Sequence, residues 1–137
     1  MISIDIITGK ENKVSFGQKI RLVKEWPDHV VTLEGNNFNK FIEQYPLSMV
    51  DFWAPWCTPC RAMAPRLRRL SKIYKGKVAF GKLDTQKNQA IAKQYKIVSI
   101  PHLVFFKNGK KIATITGLRS VGSIKNVIDD LLKKIER

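Results

Sequence analysis

The run LSMVDFWA, residues 47–54, constrains this chain more than any other stretch. An almost unbroken apolar run of this length suits a central strand buried on both faces, and such a strand needs other elements packed on each side of its sheet. Directly behind it comes PWCTPC, with both cysteines of the chain, and then a helical pattern to about Tyr74. Met63, Leu67, Leu70 and Tyr74 trace one face of that helix, and basic residues occupy the rest. Pro59 falls in its first turn, where a missing N–H costs little, and Pro65 falls mid-helix, where a kink is expected.

The flanking segments supply the cover. HVVTL (29–33) reads as a β-branched strand, and GNNFNKFIEQY as a helix capped by Asn36 or Asn37 with Phe38, Phe41 and Ile42 at helical spacing. KVAFGKLD (77–84) reads as a strand and NQAIAKQY (88–95) as a short helix. IPHLVFF (100–106) and KIATIT (111–116) flank KNGK, and Asn-Gly between two strands signals a hairpin. Ser120 caps a last helix with a core stripe of Val121, Ile124, Val127, Ile128, Leu131 and Ile135. The order β-α-β-α-β-α-β-β-α specifies an α/β fold, a central mixed β-sheet flanked by helices on both faces.

Residues 1–28 are expected to form an N-terminal extension, partly ordered or flexible, and residues 29–137 the domain. Within the extension ISIDII suits a short strand and TGKENK a polar turn. The start lacks a basic n-region and carries Asp5 inside its apolar run, so it does not read as a secretory signal. No run approaches the roughly 20 apolar residues of a membrane span.

The net charge is +14. Residues 29–137 hold twenty basic and seven acidic residues, and none of the acidic ones lies between Asp51 and Asp84. RAMAPRLRRLSKIYKGK alone carries seven positive charges. Such a field attracts acidic proteins, nucleic acid or anionic membranes. A solvated helix face is the plainer reading and outweighs these.

Two cysteines spaced CxxC have three uses: a metal site, a staple or a working redox pair. Zinc usually takes four ligands, and here His29 and His102 are isolated, so a full site needs a second chain or an unusual ligand set. A staple closing so small a loop constrains little of the unfolded chain. The spacing suits a cytosolic chain with thiols that do chemistry. Cys57 falls at a helix N-terminus, where unpaired N–H groups and the helix dipole stabilise a thiolate. Cys60 lies about a turn on, and Cys57 is expected to be the more exposed of the two. Asp51 is a lone carboxylate in an apolar run, and burial would raise its pKa into a range useful for proton exchange.

VDFWAPWCTPCRAMAP, SIPHLVFFKNG and the spacing between them resemble the thioredoxin family, from about His29 to the C-terminus. The resemblance implies protein-disulfide reduction by dithiol–disulfide exchange, with Cys57 as nucleophile and Cys60 as resolving thiol. The redox-active disulfide Cys57–Cys60 then takes the place of an external cofactor, and no metal is expected. Asp51 is implied as general acid/base for Cys60, with Lys82 as its neighbour. Pro101 is implied to be cis, with the Ile100 backbone pairing with the substrate chain. Trp56, Thr58, Pro59, Ile100, Pro101 and Gly117 are expected to form an apolar docking face. Trp53 is expected to pack in or beside the core, and His102 to be an ordinary strand histidine.

The implied partners are disulfide-containing proteins and a pyridine-nucleotide-dependent thioredoxin reductase, with no membrane and with nucleic acid weighed below protein. A monomer in the cytoplasm is expected. Rival readings are a disulfide oxidase or isomerase, and a basic protein- or nucleic-acid-binding module on the same fold. The chain departs from the usual pattern at Thr58, Pro55, Lys96 and Ser99. Thr58-Pro59 stands where Gly-Pro is commonest, which leaves the reduction potential open.

Overall fold

The computed structural model describes residues 2–4, 11–13 and 25–135. Strands β1 (Ile2–Ile4) and β2 (Glu11–Lys13) pair antiparallel as a separate two-stranded sheet. The strand expected in ISIDII is therefore present over its first half. The turn expected over TGKENK is corrected: its last three residues are β2, and the remainder lies outside the described residues. Glu, Asn and Lys are disfavoured in strands, and here the pairing with β1 overrides that preference.

The main unit runs β3 (Val31–Leu33), α1 (Phe38–Gln44), β4 (Leu47–Trp53), α2 (Thr58–Ile73), β5 (Ala79–Asp84), α3 (Gln89–Gln94), β6 (His102–Lys107), β7 (Lys110–Thr116) and α4 (Val121–Ile135). The sheet order is β3-β5-β4-β6-β7, with β3, β5 and β4 parallel and β6 and β7 antiparallel. This is the expected α/β architecture, and β4 is its central strand, with every residue but the last buried.

Alternation along β4 sorts the core into two layers, because successive side chains point to opposite faces. Leu47 and Met49 pack with Met63, Leu67 and Leu70 of α2 and with Ile124, Ile128 and Leu131 of α4. Val50 and Phe52 pack on the other face with Phe38, Phe41 and Ile42 of α1. Arg66 ties α2 to the segment before α4 by donating to the Arg119 carbonyl at 2.7 Å. Ser120 caps α4, its hydroxyl accepting the Ser123 N–H at 3.0 Å. Asn37 sits at the N-cap of α1 but makes no cap bond into the helix. Its side-chain oxygen accepts the Glu34 N–H at 2.7 Å instead, closing the preceding turn.

Candidate active site

The chain leaves β4 at Trp53 and enters α2 at Thr58, and the turn between them places Cys57 at the helix N-cap. Cys57 N–H donates to the Ala54 carbonyl at 3.1 Å, and Trp53 O accepts from both the backbone N–H and the hydroxyl of Thr85. The turn is thus anchored to the strand ends beneath it. At the N-cap a side-chain acceptor satisfies one of the orphan amides of the first helical turn. Here that acceptor is sulfur: Cys60 N–H donates to Cys57 Sγ at 3.2 Å. Pro59, in the first turn, has no N–H to leave unsatisfied.

Cys57 and Cys60 are joined as a disulfide, their Cα atoms 5.2 Å apart. Cys57 is the more exposed residue, but only at 4 % against 2 %. Both sulfurs pack with Ala54 and are covered by Trp53 and Ile100. The expected inequality between the thiols therefore lies in hydrogen bonding far more than in exposure. Cys57 Sγ is also 3.8 Å from the Ile100 carbonyl oxygen. The Ile100–Pro101 peptide bond is cis, and the Pro101 carbonyl accepts the Gly117 N–H at 2.8 Å. This joins the loop after α3 to the end of β7 beside the sulfurs.

Asp51 lies on β4 directly opposite Lys82 of β5. It shares the alternation of Met49, so it faces the layer that contains α2. The residue is 3 % exposed, and its Oδ1 has no hydrogen-bond partner. Burial pushes its pKa up to about 7, with the Lys82 ammonium opposing the shift. A small cavity of about 130 Å³ opens at Asp51 and Lys82, walled by Ala64, Leu67 and Arg68 of α2 and by His29 and Val30. Lys82 forms no ion pair with Asp51; its Nζ stands 5.6 Å from the centre of the Trp53 ring.

Trp56 is 62 % exposed beside the cysteines, with Thr58 and Pro59 also exposed and Ile100 half-buried. Trp53 is half-buried against the disulfide. His102 lies on β6 with its Nδ1 3.2 Å from the Thr116 hydroxyl, and burial, then the Lys111 charge, lowers its pKa. Three features escaped the sequence reading. Val98 is 94 % exposed two residues before Ile100, and Leu118 is exposed next to Gly117. Their signal was an apolar residue on either flank of the expected docking face. The third is Arg61, which donates to the Pro55 carbonyl at 2.9 Å and to the Thr58 hydroxyl at 3.3 Å, bracketing Cys57.

Among the described residues no group of three or more His, Cys, Asp or Glu is placed to hold a metal ion. The reactive group of the site is the disulfide itself. No helix among them is long and apolar enough to cross a membrane.

Comparison with known proteins places this geometry. The family model described as Thioredoxin matches residues 29–130. The chloroplastic M-type thioredoxin of Spinacia oleracea is 46% identical over 84 residues, which cover 61% of this chain and 46% of that protein. A thioredoxin of Staphylococcus haemolyticus is 36% identical over 100 residues, 73% of this chain and 95% of that protein. Among solved structures, a mutant thioredoxin from Halobacterium salinarum superposes with a TM-score of 0.73 at 27% identity, covering 77% of this chain and 92% of that one.

Proposed function

This chain belongs to the thioredoxin family, and from that membership we propose that it is a thioredoxin working as a general protein-disulfide reductase. It is a thiol–disulfide oxidoreductase with a redox-active CxxC disulfide. The direction of transfer and the division of labour among residues are our reading. The observation that carries it is the Cys60 N–H aimed at Cys57 Sγ across the first turn of α2. In the reduced protein the same amide, with the positive end of the helix dipole, stabilises a thiolate at Cys57 and not at Cys60.

The Cys57 thiolate attacks one sulfur of a partner disulfide, forming a mixed disulfide and expelling the other partner sulfur, which takes up a proton. Cys60 then loses its proton to the Asp51 carboxylate and attacks Cys57 Sγ, releasing the second partner sulfur as a thiolate that takes the proton back from Asp51. The partner gains two electrons and two protons, and the Cys57–Cys60 dithiol becomes the disulfide. Asp51 suits the base role because a group titrating near neutrality can both take and return a proton at working pH. Lys82 opposes the rise in its pKa and so keeps it in that range.

Trp56, Thr58, Pro59, Ile100, Pro101 and Gly117 receive the partner, its chain adding as a short strand to the Ile100 backbone. Disulfide-containing proteins are the substrates, and a thioredoxin reductase restores the dithiol. Residues 29–137 are the working domain, residues 1–28 an N-terminal extension, and the protein acts in the cytoplasm. The decisive experiment is dithiothreitol-driven insulin reduction run beside a measured reduction potential. Turnover should be lost in Cys57→Ser, while Cys60→Ser should accumulate mixed disulfides. Full activity of Cys57→Ser would end the reading. A potential far above the roughly −270 mV of thioredoxin would turn it toward an oxidant.

A further inference from the structure

Helix α2 starts at the active-site cysteines and carries an unbalanced row of charge along its outer face. Arg61, Arg68 and Lys72 recur at spacings of seven and four residues, which align on one side of a helix, and Arg69 flanks them. All four side chains are exposed. The ion pairs among the described residues lie elsewhere, two of them on α4, where Lys125 meets Asp129 and Lys134 meets Asp130. The two helices on this side of the sheet thus differ in kind. One compensates its charges at i, i+4, and the other keeps like charges at that spacing, which works against the helix. The row begins one turn from Cys57 and runs about 16 Å along the axis from Arg61 to Lys72, at about 1.5 Å per residue.

We infer that this face is a docking surface for an acidic segment of the protein whose disulfide is being reduced; the inference rests on the reductase reading above. Whatever lies along α2 also lies at the sulfurs, so the occupant is a partner that reaches Cys57. Protein is favoured over nucleic acid because the row leads to Cys57, where a nucleic acid has no disulfide to offer, and because the exposed ring nearest the row, Trp56, stands alone at its end with no further exposed aromatic along α2 to stack successive bases. Cationic rows of this kind act chiefly on encounter rate and on choice of partner, so the preferred substrates carry Asp and Glu beside the disulfide.

The test uses the full chain and two peptides with the same intramolecular disulfide, one followed by four Glu and the other by four Lys. Bis(2-hydroxyethyl) disulfide serves as an uncharged control. At low salt kcat/KM should favour the Glu peptide by about tenfold or more, and the ratio should fall toward one as salt is added. The double variant Arg69→Glu, Lys72→Glu should collapse or invert the ratio while turnover of the uncharged disulfide stays the same. Equal kcat/KM for the two peptides at low salt, or a preference that survives in the double variant, overturns the inference. So does tight, salt-sensitive capture of a single-stranded oligonucleotide with no preference between peptides. Failure to reduce the uncharged disulfide would bring down the reductase reading as well. Reduction of it without a peptide preference brings down the acidic partner alone.

Discussion

Arg61 reaches back over the turn that presents Cys57, donating to the Pro55 carbonyl and also to a hydroxyl that Gly at position 58 would lack. Thr58 thereby holds a guanidinium against the residues on either side of the nucleophile. Thr58→Val keeps the shape and removes the acceptor. Its thiolate titration, followed by ultraviolet absorbance, should move upward, and the dithiol–disulfide equilibrium should shift about two- to fivefold toward the disulfide, the bond being exposed and therefore weak. Thr58→Ser should restore both; two silent measurements would show that the bond has no influence on the sulfur. Asp51 gives a second prediction. The folded protein holds its proton up to about pH 7, whereas the unfolded chain loses it near pH 4. The folded state therefore binds more protons between those values, and stability must fall as pH rises through that window and level off above it. A shift of that size corresponds to about 4 kcal/mol at 1.36 kcal/mol per unit. Asp51→Asn should flatten the profile in urea unfolding at pH 5 and pH 8, and should slow resolution of the mixed disulfide. An undiminished slope would place the titration elsewhere. At this scale the cis bond before Pro101 and the burial of Asp51 were both expected from the sequence. The Arg61 bridge was not, because it depends on the path of one long side chain across a turn.

Elements were legible where a single local signal decides them. KNGK is the clearest case: Asn108 and Gly109 both adopt positive φ, 49° and 89°, and join β6 to β7 in a two-residue turn. A Cβ at Gly109 would come 2.9 Å from Glu43 Cγ, but that atom belongs to a flexible side chain that can move away. The backbone conformation is the larger obstacle, since an L-residue held there costs about 1–2 kcal/mol. Gly109→Ala should lower stability by that amount in chemical denaturation, with Gly109→Asn milder because Asn tolerates positive φ. Equal losses for Ala and Asn would identify the contact with Glu43 as the cause instead. Signals failed where pairing decides. Glu11, Asn12 and Lys13 form a strand because β1 lies opposite them, and nothing in their composition says so. Asn36 or Asn37 was expected as a cap by type, and Asn37 takes the position, yet its bond goes to the preceding turn, a choice between two nearby amides that spacing alone cannot make.

Across the whole molecule, the charge was fully legible and its consequences follow from where it lies. Twenty-five basic side chains face eleven acidic ones. The ion pairs among the described residues are exposed, and exposed pairs contribute little. The extent of the packed unit was less legible. Trp26 lies before the expected start of the domain, yet its ring packs tilted against Tyr45 with centroids 5.1 Å apart, and Tyr45 in turn meets Phe41 edge-on at 5.3 Å. Folding draws these like charges closer than the unfolded chain holds them, so self-repulsion works against the compact state. Salt relieves it, since the screening length falls from about 30 Å at 0.01 M to about 8 Å at 0.15 M. Raising NaCl from roughly 10 mM to 300 mM should therefore raise Tm by several degrees, about 3–4 °C for each kcal/mol of relief in a domain near this size. Calorimetry on the oxidised protein decides it, and a Tm that stays level or falls would mean that the positive field is compensated within the fold. The same salt should slow reduction of acidic substrates. One variable would then strengthen the fold and weaken its encounters, as expected if the charge along α2 that forms no ion pair among the described residues serves the partner at the expense of the fold.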